Sequence, residues 1–318
     1  MKKTFQGLVQ GLEQNTSLVV LIILFVLFSL FVPNFTNARN LTAVTSQLVV
    51  TGFLALGQLL VILTGGIDLS QGSLVAMTSI VVSVTMRNYG LAAAVAAGIA
   101  GGVAVGVFNG LLVAKVKMPA FIVTLGTMGI VRGIALMLAN AKPVPITDSV
   151  YKLLGSARIS WVPVSSILLL AASLIMHFFL KLRRSGRYLY AIGSNERNTL
   201  LSGIDVSRYK LMVYILSAFF VTLGGMIWCS RLVSGSPVGG VNYETESIAA
   251  VIVGGASLSG GEGTVFGTLY GVLILQCIGS MLNLTGINPF WQGVVKGVLI
   301  IAAVILSIFR NSGALKQI

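Results

Sequence analysis

Charge is what this sequence has least of. Only 9% of its 318 residues are Asp, Glu, Lys or Arg, and just 8 of them are acidic. There is a single histidine and there are two cysteines. So few ionisable groups exclude an extended proton relay, and no His/Cys/Asp/Glu spacing matches a metal site. Cys229 and Cys277 sit in apolar surroundings and read as small buried side chains. No GxxxxGK[ST] phosphate loop occurs and no nucleophile elbow, so neither ATP binding by the usual device nor acyl chemistry is expected of this chain.

What fills the space is apolar. Hydrophobic residues make up 56% of the chain and the mean hydropathy is +0.96, values of an integral membrane protein. The apolar runs follow one another on short links, so one integral domain, 1–318, is the economical reading. About 20 apolar residues cross a bilayer, fewer where a helix is broken or covered. Ten spans are expected, near 17–33, 41–63, 70–86, 91–113, 119–139, 163–181, 211–231, 246–258, 264–283 and 290–309. The eighth is too short to cross alone and reads as a half-helix or a re-entrant segment. Residues 1–31 have the basic start and apolar core of a signal peptide but no small-x-small cleavage site, and read as an uncleaved first span.

The formal net charge of +13 does not point to nucleic acid, because the positive residues lie between apolar runs and form no basic and aromatic surface. With the N-terminus inside, most of the 21 Lys and Arg fall on the cytoplasmic side, and an even number of crossings places both termini there. Arg132 and Lys296 remain within spans. Arg132 needs a partner or a wet cavity, with Glu246 and Asp68 as candidates, whereas Lys296 is read as snorkelling to an interface. Gly98, Gly102, Gly106 and Gly110 share one helix face, and this stripe reads as close helix packing.

One octapeptide pattern, GGxxLSxG, occurs twice: Gly65–Gly72 and Gly254–Gly261. Each copy interrupts an apolar run, and irregular backbone at membrane depth is tolerated only where protein buries it or a cavity wets it. Paired interruptions in the two halves of a chain point to a transport pathway. Asp68 and Gln71 form a capping-box pattern, which makes Asp68 the expected N-cap of the restarted helix, with capping favoured over substrate contact. In the second copy Ser257 replaces Asp68, and the acid, Glu262, lies further on. The expected pathway residues are Gly65, Gly66, Asp68, Ser70, Thr124, Arg132, Glu246, Gly254 and Gly255; Thr64, Asn109, Asn283 and Gln292 are weaker candidates for contacts to substrate hydroxyls.

The one long hydrophilic stretch, 182–210, is strongly basic. Ser194-Asn195-Glu196-Arg197 opens a short capped helix there and Gly203 closes it, with Leu200, Leu201 and Ile204 as an apolar strip. Such a helix suits docking in a groove of another protein.

Four stretches in order resemble the permease subunits of bacterial ATP-binding-cassette sugar importers of the ribose type. They are Ile62-Leu63-Thr64 with GGIDLSQGS; FIVTLGTMG from Phe121 with Arg132-Gly133; GRYLYAIGSNE from Gly186 with Ser202-Gly203-Ile204; and IAAVIVGGASLSGGEGTVFGTL from Ile248. The resemblance implies an all-α permease of about ten helices in the bacterial inner (plasma) membrane. Its partners would be a second permease subunit, identical or paralogous, a cytoplasmic ATPase that carries the ATP and Mg, and a periplasmic or extracellular sugar-binding protein. It also implies that the helix after Asn195, with Glu196, Arg197, Asn198, Leu200, Leu201, Gly203 and Ile204, couples to that ATPase. Relatives commonly read Glu-Ala-Ala where this chain has Glu196-Arg197-Asn198, which puts the detailed contacts in question. Permeases for branched-chain amino acids or nucleosides share the broad architecture. A stand-alone secondary transporter or channel is the alternative of a different class.

Overall fold

The computed structural model describes residues 16–160 and 162–288, together with 291, 293–295, 297, 298, 301 and 305. Most of the expected last span, including Gln292 and Lys296, lies outside the described residues, as do residues 1–15.

Apolar runs set the helices. α1 (Thr16–Phe31), α2 (Ala38–Leu63), α3 (Gln71–Ala114), α4 (Ala120–Leu138), α6 (Ser165–Leu182), α9 (Val206–Leu232) and α11 (Val265–Leu284) are the long ones. Six of these, all but α1, are long and apolar enough to cross a membrane by length and composition. Between them stand four short helices: α5 (Ser149–Ser156), α7 (Arg184–Ser194), α8 (Glu196–Leu201) and α10 (Tyr243–Val253). The protein is an all-α polytopic membrane protein.

The third and fourth expected spans form one 44-residue run, α3, whose helical geometry fails only at Gly90 (φ 82°, ψ 178°). A run of that length would extend about 66 Å if straight, far more than a bilayer core, so the turn at Gly90 is what lets the chain double back. Only glycine takes this backbone conformation without strain.

α2 lies at the centre and is buried almost continuously from Val49 to Leu63. The second limb of α3 packs along α9, and the glycine stripe forms the contact: Gly98 faces Met226, Gly102 faces Thr222, Gly106 faces Ala218 and Gly110 faces Leu211. A methyl group at Gly106 would stand 2.8 Å from the Tyr214 carbonyl oxygen, so only glycine allows the two backbones this close. α1, α4 and α6 instead leave large apolar side chains uncovered, among them Ile23, Ile130 and Ile175, as lipid-facing helices do.

Two details depart from an all-helical expectation. Strand β1 (Val144–Pro145) pairs antiparallel with β4 (Ser234–Gly235), and β2 (Arg158–Ile159) pairs with β3 (Val162–Pro163). With α5 they form a cap over the end of α9, where Tyr151 donates to the Met226 carbonyl at 2.8 Å and Ser230 donates to the Tyr151 carbonyl at 2.6 Å. Runs of two residues carry no periodicity, which is why the sequence does not announce them. The eighth span is realised as α10, eleven residues or about 16 Å long, half a membrane crossing.

Candidate functional site: two helix breaks between two cavities

The first break begins where α2 ends. Thr64 caps it, and Gly65 turns the chain with φ +75°. Asp68 does not sit at the N-cap of α3; that position is Ser70. Its carboxylate instead accepts from the Ser70 amide at 2.9 Å and the Ser70 hydroxyl at 2.6 Å, a local turn closed two residues on. The capping-box pattern fails because the carboxylate closes this tighter ring before the helix starts.

From Ser70 a buried polar network runs across the bundle. Asn109 donates to the Ser70 hydroxyl at 3.0 Å and accepts from Thr127 at 2.6 Å. Thr124 donates to the Ile67 carbonyl at 3.2 Å, and the Gln71 carbonyl group accepts from Ser247 at 2.7 Å. Four elements, α3, α4, α10 and the break itself, are thus tied at one depth. Gln71 reads in the sequence only as part of the capping-box pattern, Thr127 lies in the stretch from Phe121 with no role of its own, and Ser247 lies in no motif; their partners lie 18 to 176 residues away.

The second break starts at Gly254, the C-cap of α10. Ser257 and Ser259 share a hydroxyl contact of 2.7 Å, and Gly255, Gly260 and Gly261 all take positive φ. The two copies of the motif meet: the Gly261 amide donates to the Leu63 carbonyl at 3.0 Å. A methyl group at Gly260 would stand 2.9 Å from the Gly65 nitrogen and 2.9 Å from Gly193 Cα. Gly193, in the last turn of α7, therefore fills the seam between both breaks, with Leu63 and Gly261 against its missing side chain. Tyr190, one turn earlier, donates to the Gly263 carbonyl at 2.9 Å, and burial pushes its phenol up, so it stays a neutral donor.

Immediately after α7, Asn195 caps α8 by accepting from the Asn198 amide at 2.9 Å. Glu196 pairs with Lys210 of α9 at 2.6 Å. Arg197 and Asn198 are exposed, and so are Leu200 (59%) and Leu201 (77%); Ile204 is half-buried and Gly203 turns the chain with φ +81°.

Arg132 finds neither Asp68 nor Glu246 as a hydrogen-bond partner. It donates to the carbonyls of Pro237 at 2.8 Å and Gly239 at 2.7 Å, and Glu244 is the acid whose charge acts on it. It thereby holds the loop before α10 in place.

Two cavities flank the breaks. The inner one, about 570 Å³, lies beside Thr64, Gly65 and Gly66 and is walled by Lys117, Glu196, Arg197, Lys210 and Tyr214. The outer one, about 580 Å³, lies toward the other end of α2, between α2, α10 and α11 and beside Gly293 and Gly297. Glu246 and Asn283 both line it, together with Gln47, Thr51, Asn242, Tyr243, Thr245 and Gln276. Of the residues expected to meet substrate, Thr64 lies at the inner cavity, Asn283 at the outer, and Asn109 inside the buried network.

A bundle with two interrupted helices, a half-length helix and a polar cavity toward each end is a membrane permease. Residues 40–304 match the family described as the permease component of branched-chain amino acid transport systems, and the chain belongs to that family. It is 41% identical over 305 residues to the ribose import permease protein RbsC of Bacillus subtilis, covering 95% of this chain and 94% of that one. The Escherichia coli (strain K12) ribose import permease protein RbsC is 40% identical over 93% of this chain and 94% of its own. The L-arabinose transport system permease protein AraH of Escherichia coli is 37% identical over 94% and 92% respectively. No solved structure matches the chain. As a permease of an ATP-binding-cassette importer it is a transport component and not an enzyme.

Proposed function

We propose that this chain is the translocating subunit of an ATP-driven monosaccharide importer in the bacterial inner membrane. The ribose and L-arabinose relatives favour a sugar over a branched-chain amino acid or a nucleoside. In this reading the whole chain, 1–318, is a single integral domain of ten spans with both termini in the cytoplasm. It pairs with a second permease subunit around the pathway and takes substrate from a sugar-binding protein outside. ATP and Mg belong to the partner ATPase.

The observation that carries the coupling part of this reading is the seam at Gly193. Residues 182–210 form the coupling loop: α8 presents Arg197, Asn198, Leu200 and Leu201 outward to the ATPase, and the turn of α7 just before it is wedged between both helix breaks. Movement of α8 on ATP binding is thereby delivered where the spans are interrupted and most easily repacked, the requirement for alternating access.

Reconstitution tests this. Proteoliposomes holding the assembled importer take up sugar with ATP, and those holding this chain alone take up none; flux through the isolated chain would establish a secondary transporter or channel instead. Joint replacement of Glu196, Leu200 and Gly203 is expected to abolish ATPase copurification and uptake, and survival of both would remove the coupling role from α8.

A further inference from the structure

We propose that the inner cavity is a regulatory site for a sugar phosphate, which binds between α8 and the first helix break and slows transport from the cytoplasmic side. This rests on the sugar-importer reading and the orientation proposed above, and deepens them.

Tyr214 singles the cavity out. Its side chain is part of the cavity wall and only 1% exposed, yet its hydroxyl has no hydrogen-bond partner among the described residues. A buried hydroxyl without a partner is destabilising, and a ligand oxygen would satisfy it. Gly66 makes the room it occupies: a methyl group there would stand 2.8 Å from the Tyr214 oxygen.

The remaining lining groups are of two kinds. Thr64 donates to the Val61 carbonyl at 2.9 Å and Ser207 to the Ala114 carbonyl at 3.0 Å, so each of these hydroxyl oxygens is left to accept from a ligand hydroxyl. The charged groups are Lys117, Arg197, Lys210 and Glu196. Lys210 is paired with Glu196 at 2.6 Å, whereas Lys117 and Arg197 form no ion pair among the described residues. Lys117 also stands at φ +64°, a backbone conformation that glycine takes without strain and lysine does not. Pro119 and Ala120, which open α4, belong to the same wall, and a helix start favours an anion.

Cations beside a helix start select a phosphate, and hydroxyls with an unpartnered phenol select a hydroxylated body. A volume of about 570 Å³ suits a small organic ligand. An acidic side chain of a partner ATPase would answer the charge but would bring no hydroxyls to Thr64, Ser207 and Tyr214.

Position gives the ligand its effect. Glu196 and Leu200 of α8 form one side of the cavity, and Thr64, Gly65 and Gly66 of the first break form another. Transport requires these two elements to move, so a ligand that bridges them favours one arrangement over the other and slows the cycle. It arrives from the side to which sugar is delivered.

The experiment uses the complete importer, purified through a tag on this chain and reconstituted into vesicles. ATP and Mg are trapped on the ATPase side, with the binding protein and labelled D-ribose or L-arabinose on the other. D-ribose 5-phosphate trapped with the ATP is expected to slow uptake, and inorganic phosphate at the same concentration is not. Tyr214→Phe and Lys117→Gly are each expected to take up sugar normally without the ester and to raise its half-inhibiting concentration about tenfold, the effect of one lost ligand hydrogen bond. Because Lys117→Gly relieves the positive φ, its melting temperature is expected to hold or rise, which separates lost binding from lost folding. Calorimetry of D-ribose 5-phosphate with the purified complexes is expected to show the same loss of affinity without transport. If the wild-type complex takes up sugar and the ester leaves the rate unchanged, slows both variants as it slows the wild type, or acts no better than inorganic phosphate, the site is overturned and the importer reading stands. If the wild-type complex takes up neither sugar, the sugar reading falls, and this proposal with it.

Discussion

Asn109 shows how a polar residue in a span can be mistaken for a substrate ligand. Its amide donates to Ser70 and accepts from Thr127, and it is 1% exposed, so it serves the first break from within the protein. Replacing it by alanine strands a buried threonine hydroxyl and removes the donor that orients Ser70, at a cost of about 1–3 kcal/mol. The expected outcome for Asn109→Ala is a lower melting temperature of the purified complex with KM for sugar unchanged; a raised KM at unaltered stability would mean that the residue touches substrate. Asp68 makes the same point from the side of motifs. The DLSQ letters fit a capping box, yet the carboxylate closes on Ser70 two residues away, because the nearest free donors win before a helix exists to be capped.

At the scale of elements, periodicity and length were sound guides wherever an element's own residues decide its form. The short eighth span, the glycine stripe of α3 and the capped helix after Asn195 were all legible, since each depends on local spacing. The seam was not. That Gly193 would meet Gly260, and that Leu63 would meet Gly261, depends on how segments 67 residues apart in the first case and 198 in the second come together, and nothing in either stretch names the other. The duplicated motif was a hint of two breaks, but not of their contact. The seam makes a sharp prediction for α7. In Gly193→Ala a methyl group enters against the Leu63 carbonyl and the Gly261 amide, where backbone cannot yield cheaply. α8 itself is untouched by this change. ATPase copurification is therefore expected to persist while sugar moved per ATP hydrolysed falls about tenfold or more, a change of at least 1.4 kcal/mol in coupling. Normal stoichiometry would show that the breaks can separate from α7 without consequence.

On the scale of the whole molecule, the distribution of charge predicts an orientation that can be read chemically. Lys181, Arg183, Arg184, Arg187, Arg197, Arg208 and Lys210 crowd one end of the bundle, around α7 and α8. The cap formed by α5 and the two small strand pairs closes the opposite end of α9, and it carries fewer basic residues. Positive segments are retained in the cytoplasm, so the orientation we propose puts α8 inside and α5 outside. Two exposed leucines report on this: Leu153 on α5 is 56% exposed and Leu201 on α8 is 77% exposed. The native cysteines are both buried and contribute little background. In intact cells whose outer barriers admit the reagent, a membrane-impermeant maleimide is expected to label Leu153→Cys, and to label Leu201→Cys only after the inner membrane is opened. The opposite pattern would invert the bundle, put the outer cavity on the cytoplasmic side and leave α8 where no ATPase could reach it. Because uptake and coupling each require a particular face, this one labelling experiment constrains both: a binding protein outside can deliver sugar to the end of the bundle capped by α5 only if Leu153 is outside, and the Gly193 seam can be driven by ATP only if Leu201 is inside.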